Sequence, residues 1–336
     1  MKSKIAFRLG RLTASKRGNL GHRGVVWDRR VETGNAAPSP HRTMVFVVGC
    51  PRSGTSWVRS IFDAHPQVVS GEESHLFPTL FHAFAGRGRI PERRAAALTT
   101  YDRSARGEIL GAHSGPHNWV GRERLNELLD EFLLDTTDRR LLAVGARGAL
   151  GTILEEYAED AGADANTVLV EKTPGHLYFA ETILEWWPTA RIVEVIRDGR
   201  DVCVSLQHKS MVTDWAPADR TDQINQWVRA VRHGAAARAQ PIARGRWLSV
   251  HYEALRAEPR EQIGRLLAFA GLQADDELLT SVLNNTDFSA LSSTGPRQHR
   301  RKGVVGDHIN HFTEADHELF RALAGEDFEA AGYRFQ

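Results

Sequence analysis

One short segment near the start of the chain, from Met44 to Trp57, limits the fold more than any other. Met44 to Val48 is an apolar, largely β-branched run that predicts a buried strand, and Gly49 ends it. Thr55 to Trp57 then opens an apolar-periodic helix that we expect to reach about His65. A strand, a glycine-bounded loop and a helix N-terminus form an anion site, because free N–H groups and the positive end of the helix dipole face the loop. The segment therefore predicts an α/β protein that binds a phosphate-like group.

The loop departs at one position from the nucleoside-triphosphate pattern G-x-x-x-x-G-K-[ST]. Gly49 and Gly54 are in place, but Thr55 stands where that pattern has lysine, and Arg52 supplies the cation inside the loop. Because the missing lysine reaches the β- and γ-phosphates, its absence argues against a clamp for a magnesium triphosphate. The arginine offers a fork of donors that suits an oxyanion. The alternative is a turn whose glycines serve packing alone, and the Arg, Ser and Thr side chains of the loop favour the anion site.

Composition excludes several other classes of protein. Lys plus Arg number 43 and Asp plus Glu 42, so net charge gives no argument for nucleic acid, and a hydrophobic fraction of 41% is typical of a soluble globular protein. No apolar run approaches the length of a membrane span, and no signal-peptide pattern follows the N-terminus. We therefore expect a cytoplasmic protein. The two cysteines, Cys50 and Cys203, are expected to be reduced thiols, and no Cys/His cluster has the spacing of a metal site.

The first 42 residues differ from the rest of the chain. Met1 to Arg30 holds nine lysines and arginines against Asp28 alone, and residues 32–40 are rich in Gly, Ala, Pro and Ser. This composition predicts a basic, flexible N-terminal arm over 1–42, and a peripheral contact with anionic lipid or an acidic partner is the alternative. Residues 43–336 are expected to form a single domain with an insertion around 77–120.

Apolar strands alternate with helical patterns along this domain. Strands are predicted at 44–48, 167–170, 191–196 and 247–250, with a short extended piece at 67–69. Helices are predicted at 55–65, 124–134, 150–160, 177–187, 201–208, 223–238, 259–271 and 276–284, and 77–120 is expected to be irregular. The order predicts an α/β three-layer sandwich with a mostly parallel central sheet. Polar residues that end three strands should then converge at one edge: Arg52 with Ser53, Glu171 with Lys172, and Arg197 with Arg200.

Three motifs, in this order, resemble those of the PAPS-dependent sulfotransferases. Pro51 to Trp57, PRSGTSW, resembles their 5′-phosphosulfate loop, and Val195 to Ser205, VIRDGRDVCVS, resembles their 3′-phosphate strand and helix. Arg301 to Asp307, RKGVVGD, is similar to the R-K-G-x-x-G-D segment of the cytosolic branch. The resemblance spans Val45 to about Phe312 and implies a fold like that of P-loop nucleoside-triphosphate hydrolases.

The resemblance implies a co-substrate, 3′-phosphoadenosine 5′-phosphosulfate (PAPS), that needs two separate anion sites and no metal. The residues implied to hold its two anionic ends are Arg52, Ser53, Gly54, Thr55 and Ser56 at the 5′ end, and Arg197, Ser205, Arg301, Lys302 and Gly303 at the 3′-phosphate. The alternative for Arg197 and Arg200 is a pair of surface ion pairs with Asp198 and Asp201.

Adenine recognition is implied for four further residues: Trp57, Tyr252, Thr286 and Phe288. Trp57 matches a tryptophan that stacks on adenine, and such stacking is a general way to hold a base. Tyr252 resembles the tyrosine of a Y-E-D-[LM] motif, and Thr286 and Phe288 resemble the T-x-F pair that follows it. The alternative is that these aromatic residues belong to the core.

The same resemblance implies a catalytic pair of cations. Lys172, in the run EKTP, lies at a strand end where the family has its catalytic lysine, and Arg52 would assist it in stabilising the bridging oxygen of the leaving group. The alternative is a lysine paired with Glu171 or with another carboxylate.

The general base is implied by a second comparison within the family. Cytosolic members use the histidine of K-T-H-L, but this chain has Pro174 there. Tyrosylprotein sulfotransferases have D-A-H-P followed by G-E-E-T, and this chain has DAHP at 63–66 and GEES at 71–74. Glu73 is therefore implied as the base, and we expect burial to raise its pKa. His75 and His176 are the alternatives.

The implied function is transfer of a sulfuryl group from PAPS to an alcohol, sugar or phenol hydroxyl of a small-molecule, glycan or peptide acceptor. Two alternatives stay open: a P-loop phosphotransferase and a non-catalytic nucleotide-binding protein. The segments 73–120 and 207–221, which resemble the family least, are expected to select the acceptor.

Overall fold

The sheet at the centre of the protein has five strands, all parallel. The computed structural model describes residues 42–86, 88–109, 114–286 and 303–335, which lie in one compact unit spanning Ala36–Gln336. The strands are β1 (Met44–Gly49), β2 (Val68–Ser70), β3 (Val168–Lys172), β4 (Ala190–Ile196) and β5 (Trp247–His251). Their spatial order is β2-β3-β1-β4-β5, so β1 is central and the chain winds outward from it in both directions.

The buried character of the inner strands explains this arrangement. Every residue of β1 and of β3 is buried, because helices cover both faces of the sheet. Val47 pairs in register with Lys172 of β3, and Gly49 pairs with Val195 of β4. The predicted three-layer α/β fold with a parallel central sheet is confirmed.

Twelve α-helices flank the sheet within the described residues. They are α1 (Thr55–Asp63), α2 (His82–Ala85), α3 (Ile90–Ala105), α4 (Arg122–Phe132), α5 (Arg139–Asp160), α6 (Ala180–Trp186), α7 (Gly199–Ser210), α8 (Arg220–Arg238), α9 (Tyr252–Ala257), α10 (Pro259–Ala270), α11 (Asp276–Thr286) and α12 (Glu314–Ala330). No helix in the described part of the chain is long and apolar enough to cross a membrane.

The two faces of the sheet bury different side chains. Alternate residues such as Val45 and Val47 pack with α1, α10 and α11 in one apolar cluster. Phe46, which lies between them on β1, faces the other side and stacks on Trp187 with ring centroids 5.9 Å apart. This alternation is the period of two that a strand imposes on its side chains.

The expectation of an irregular region at 77–120 is wrong. Residues Phe77–Phe81 form a π-helical turn, and α2, α3 and a short 3₁₀ turn at Pro116–Asn118 follow. The apolar periodicity of α3 is weak because the helix buries Arg93, which donates three hydrogen bonds to the carbonyls of Ala83, Phe84 and Leu134. An arginine that is buried and hydrogen-bonded to backbone carbonyls interrupts the apolar pattern from which a helix is predicted in the sequence.

Helix α5 is twice as long as its predicted extent, 150–160. It begins at Arg139, where the Asp138 side chain accepts a hydrogen bond from the Arg140 N–H. Glycines in its first half hide the helical pattern, and Gly145 is needed for close packing: a Cβ there would lie 2.5 Å from the carbonyl oxygen of Phe132.

Candidate active site

The phosphate loop after β1 has the conformation that an anion cradle requires. Arg52 and Gly54 have φ values of 76° and 102°, so the chain turns back twice in the left-handed region before α1 begins. Gly54 is the N-cap of α1, and no side chain in the described part of the chain caps that helix. A Cβ at Gly54 would lie 2.5 Å from the Tyr252 ring. The N–H groups of the first turn of α1 therefore face the loop. The Tyr252 ring lies so close to residue 54 that only glycine fits at that position.

A second cation lies next to the loop arginine. Arg52 Nε donates to Ser205 Oγ of α7 at 3.0 Å, and Lys209 follows one helical turn later. Lys209 is 7% exposed, and burial together with the charge of Arg52 lowers its pKa. Both effects act against the charged form of Lys209, so an anion bound beside Arg52 would favour the ammonium. Its spacing of four from Ser205 was the signal that sequence reasoning missed.

Arg197, at the end of β4, joins the loop to the C-terminal segment. It donates to the Arg52 carbonyl at 3.3 Å and to the Val304 carbonyl at 2.9 Å, and its guanidinium lies 4.4 Å from the centre of the Tyr252 ring. Its Nε and the Ser53 hydroxyl are buried and have no hydrogen-bond partner among the described residues. Buried donors are almost always satisfied in native proteins, so these two atoms fit a ligand with anionic oxygens.

The residues implied for the base lie close to one another. The Trp57 indole N–H donates to the Thr286 carbonyl at 2.9 Å, and the Trp57 ring meets the Tyr252 ring edge-on at 5.5 Å. The Tyr252 hydroxyl donates to the Gly303 carbonyl at 3.0 Å. The structure therefore brings four of the implied cofactor residues into one cluster, although Trp57 is 8% exposed and also belongs to the core.

Asp201, a residue that was expected only to pair with an arginine, anchors the segment after Gly303. Its two carboxylate oxygens accept from the Gly306 N–H at 2.8 Å and the His308 N–H at 2.9 Å. Burial raises the pKa of Asp201, but His308 and Arg197 lower it further, so the net direction is downward. Arg197 lies 3.6 Å from this carboxylate, so the ion pair that was the alternative reading coexists with the loop contact.

Two of the six polar residues predicted to converge at the strand ends do not. Arg200 turns back to Asp198 at 2.7 Å and covers the Phe328 ring. Glu171 points away from Lys172 because successive side chains of a strand face opposite sides. Its Oε1 accepts from Ser74 and Thr173 hydroxyls at 2.7 and 2.6 Å.

The loop from Gly71 to His75, which carries the implied base, is held by its backbone. The Gly71 carbonyl accepts a hydrogen bond from the Arg59 guanidinium at 2.7 Å. The Glu72 carbonyl accepts from the Trp119 indole N–H at 2.7 Å. The Glu73 carbonyl accepts from the Gly115 N–H at 2.7 Å. The side of the loop toward β3 is fixed by Ser74, whose N–H and hydroxyl both donate to Glu171. The region 77–120 thus supports the position of Glu73 from one side and β3 supports it from the other.

The Glu73 carboxylate lies between the side chains of Lys172 and His75. Its Oε1 accepts from the Lys172 ammonium, and its Oε2 lies 3.0 Å from His75 Nε2. Lys172 is 4% exposed and the Glu73 side chain 25%. Burial raises the pKa of Glu73, but Lys172 and His75 together lower it well below its usual range. The expectation of a raised pKa is therefore wrong for this structure, because the sequence did not show that Lys172 contacts the carboxylate.

His176, one of the two alternative bases, is fully buried. Its Nδ1 donates to Glu171 Oε2 at 2.7 Å and its Nε2 accepts from the Phe77 N–H at 3.4 Å. Both ring nitrogens are thus used inside the protein, and His176 stabilises the end of β3. His75, the other alternative, contacts Glu73 itself.

Three implied cofactor residues, Phe288, Arg301 and Lys302, lie outside the described residues. Ser56 is exposed and Thr55 is buried at the first turn of α1. Cys50 and Cys203 are buried free thiols, as expected from the sequence, and burial raises the pKa of Cys203 to about 12.

The fold and the loop together define a P-loop α/β protein whose strand ends carry cations and one carboxylate to a single edge. A sequence model described as the sulfotransferase family matches residues 44–276. The chain belongs to the sulfotransferase family, and the resemblance found in its motifs is confirmed.

Individual relatives are more distant. A protein-tyrosine sulfotransferase of Drosophila melanogaster is 24% identical over 246 residues, which are 73% of this chain and 40% of the relative. Protein-tyrosine sulfotransferase 1 of Danio rerio is 25% identical over 237 residues, 70% of this chain and 55% of the relative. The chain thus spans about half the length of these curated relatives. The solved mouse sulfotransferase SULT7A1 complexed with PAP aligns with 85% of each chain at 14% identity and a TM-score of 0.48.

Proposed function

We propose that this protein transfers the sulfuryl group of PAPS to a hydroxyl of an acceptor, giving a sulfate ester and adenosine 3′,5′-bisphosphate. The observation that carries the proposal is the contact between Glu73 and Lys172 at the edge of the sheet where the phosphate loop begins. A carboxylate and a buried ammonium there can serve the two needs of such a transfer: removal of the acceptor proton and stabilisation of charge on the leaving group.

The residues divide into a binding group and a reacting group. Arg52, Ser205, Arg197 and Lys209 would hold the anionic ends of PAPS, which supplies the sulfuryl group when bound. The Ser53 hydroxyl and Arg197 Nε, which find no hydrogen-bond partner within the described ranges of the chain, fit this role.

The reacting group does the proton and charge chemistry. Glu73 would accept the proton of the acceptor's hydroxyl group. The Lys172 ammonium would stabilise the negative charge that develops on the leaving oxygen. Orientation of both side chains by the loop at 71–75 and by β3 reduces the reorganisation that the reaction needs.

The decisive experiment compares two adjacent glutamates. In Glu73→Gln, transfer from PAPS should fall by about 10²–10⁴-fold, the range for loss of a general base, while binding of adenosine 3′,5′-bisphosphate changes little. Glu72→Gln is the matched control, since Glu72 is more exposed and pairs with Arg59 at 3.3 Å instead. Full activity of Glu73→Gln, measured with the same acceptor by mass spectrometry, would remove Glu73 from the mechanism.

The acceptor is proposed to be a phenolic hydroxyl, with a tyrosyl peptide as the first compound to test. The support for this choice is that the two curated relatives described above are named protein-tyrosine sulfotransferases. Parallel assays with an alcohol, a sugar and a tyrosyl peptide distinguish the classes, and transfer to the alcohol or sugar alone would overturn the phenolic choice. A cytoplasmic location stays a prediction from the sequence.

A further inference from the structure

His75 is placed against the Glu73 carboxylate on the oxygen that Lys172 does not contact. Its Nε2 lies 3.0 Å from Glu73 Oε2, whereas the Lys172 ammonium bonds Oε1. The His75 side chain is 19% exposed and Lys172 is 4% exposed. The carboxylate therefore has a buried permanent cation on one oxygen and an imidazole with access to water on the other.

The backbone holds the imidazole in this place. His75 has a φ of 48°, in the left-handed region that is costly for a residue with a Cβ, and among described non-glycine residues it shares a positive φ with Arg52 alone. The His75 N–H donates to Thr173 Oγ1 at 3.2 Å, and the Thr79 hydroxyl donates to the His75 carbonyl at 2.5 Å. Such a conformation persists where the surroundings determine it, and here they direct the ring at Glu73.

We propose that His75 relays the proton that Glu73 takes from the acceptor to solvent, an inference that rests on the proposed sulfuryl transfer. In the first step the acceptor O–H bond breaks, its oxygen bonds sulfur, and the electrons of the broken sulfur–oxygen bond stay on the leaving phosphate. The proton is then on Glu73. In the second step Glu73 loses it to Nε2 of the neutral His75 imidazole, and the imidazolium releases its Nδ1 proton to water. Glu73 is then restored, and His75 returns to its starting tautomer when its ring protons exchange with water before the next turnover.

The chemistry of the neighbouring groups favours such a relay. Each turnover leaves one proton on Glu73, and when the Lys172 ammonium returns to Oε1 its charge lowers the pKa of the carboxyl again, so Glu73 then gives up the proton readily. The charged groups facing His75 are Glu73 on its own loop and Lys172 on β3, and the Glu171–His176 pair lies behind Ser74. Of these groups, His75 has an imidazole nitrogen within hydrogen-bond distance of the Glu73 carboxylate and a side chain that is partly exposed to water.

The variant that tests the relay is His75→Asn, because asparagine tolerates a positive φ and keeps a hydrogen-bonding side chain but cannot carry a proton near neutral pH. We expect kcat to fall by about 10–100-fold at low buffer concentration, with KM for PAPS unchanged, and imidazole in the buffer to restore much of it. His82→Asn, at an exposed histidine of α2, is the matched control and should behave as wild type. A kcat that is unchanged, or that falls without response to imidazole, would overturn the relay.

A second measurement keeps the relay separate from the proposed function. The Glu73 carboxyl, followed by carbon NMR without any substrate, should titrate at higher pH in His75→Asn, because His75 is one of the groups that lower its pKa. An unchanged titration overturns the relay whatever reaction the protein catalyses. Failure of the wild-type protein to transfer a sulfuryl group to any acceptor, together with the shifted titration, overturns the proposed function instead.

Discussion

Replacement of Lys172 by methionine tests the central ion pair without reference to activity. Methionine keeps most of the volume of the lysine stem and removes the ammonium from a site that is 4% exposed. Glu73 would then keep its charge in a place where only His75 compensates it. Removing one partner of a fully buried pair costs about 3–5 kcal/mol, and because Glu73 is one-quarter exposed we expect a smaller cost, about 2–3 kcal/mol.

A double-mutant cycle isolates the interaction from the loss of the side chain. Urea unfolding of wild type, Lys172→Met, Glu73→Gln and the double variant gives four free energies of unfolding at each pH. At pH 7 the double variant should recover most of the loss in Lys172→Met, since no buried charge is left alone, and the coupling energy should be about 2 kcal/mol. Effects that add within about 0.5 kcal/mol would refute the pairing.

The pH dependence of the cycle has a definite sign. Pairing lowers the pKa of Glu73 in the folded protein, so the stabilisation is present above the ordinary pKa and is lost as the pH falls through the folded value. In Lys172→Met the Glu73 pKa should rise, since burial is then opposed by His75 alone. The stability difference between wild type and Lys172→Met should therefore narrow as the pH falls from 7 toward 4. A difference that stays constant over this range would contradict the assigned cause.

Three further predictions concern the cofactor side of the site. Lys209→Met should raise KM for PAPS by about tenfold with a smaller change in kcat, as steady-state kinetics would show, because it removes a buried cation beside Arg52. Gly54→Ala should abolish binding of adenosine 3′,5′-bisphosphate by calorimetry and lower stability by about 1–3 kcal/mol, because φ is 102° there and the new Cβ meets the Tyr252 ring. Trp57→Phe should cost about 1 kcal/mol of unfolding free energy, since the last carbonyl of α11 loses its indole donor. Wild-type values in any of these variants would contradict the corresponding contact.

The sheet was predictable from the sequence, and the reason is the kind of residue it contains. The run at Met44–Gly49 is apolar along its length, and in Ala190–Ile196 Arg191 and Glu194 alone interrupt the apolar residues. A parallel sheet covered on both faces leaves such runs. Helix α3 was not predictable, because its packing depends on Arg93 and on backbone carbonyls from other segments. The periodicity of apolar residues in a sequence indicates which apolar side chains are buried, but it does not indicate that an arginine is buried.

The sequence indicated some of the side chains that meet in the candidate site, and it did not indicate their contacts. The resemblance to the family named Lys172 and Glu73, which the structure brings into contact, but it gave no information on which charges touch. Lys209 was missed because its neighbour Arg52 comes from a different strand end, 157 positions earlier in the chain. Such pairs are set by the approach of the phosphate loop to α7, which only the three-dimensional arrangement fixes.

The lowered pKa of Glu73 is consistent with its proposed role as a base, because Lys172 has two partners. It pairs with Glu73 in the ligand-free protein, and it would pair with the leaving group during the reaction. Burial raises the pKa of Glu73, and the Lys172 charge is the first of the effects that oppose it. Any anion that draws the Lys172 ammonium away from Glu73 Oε1 weakens that opposition, so the carboxylate becomes a stronger base as the lysine turns to the leaving group. In the absence of such an anion the ion pair keeps Glu73 a weak base. The same contact that makes the sequence-based expectation wrong for the ligand-free protein thus links the strength of the base to the position of a single lysine.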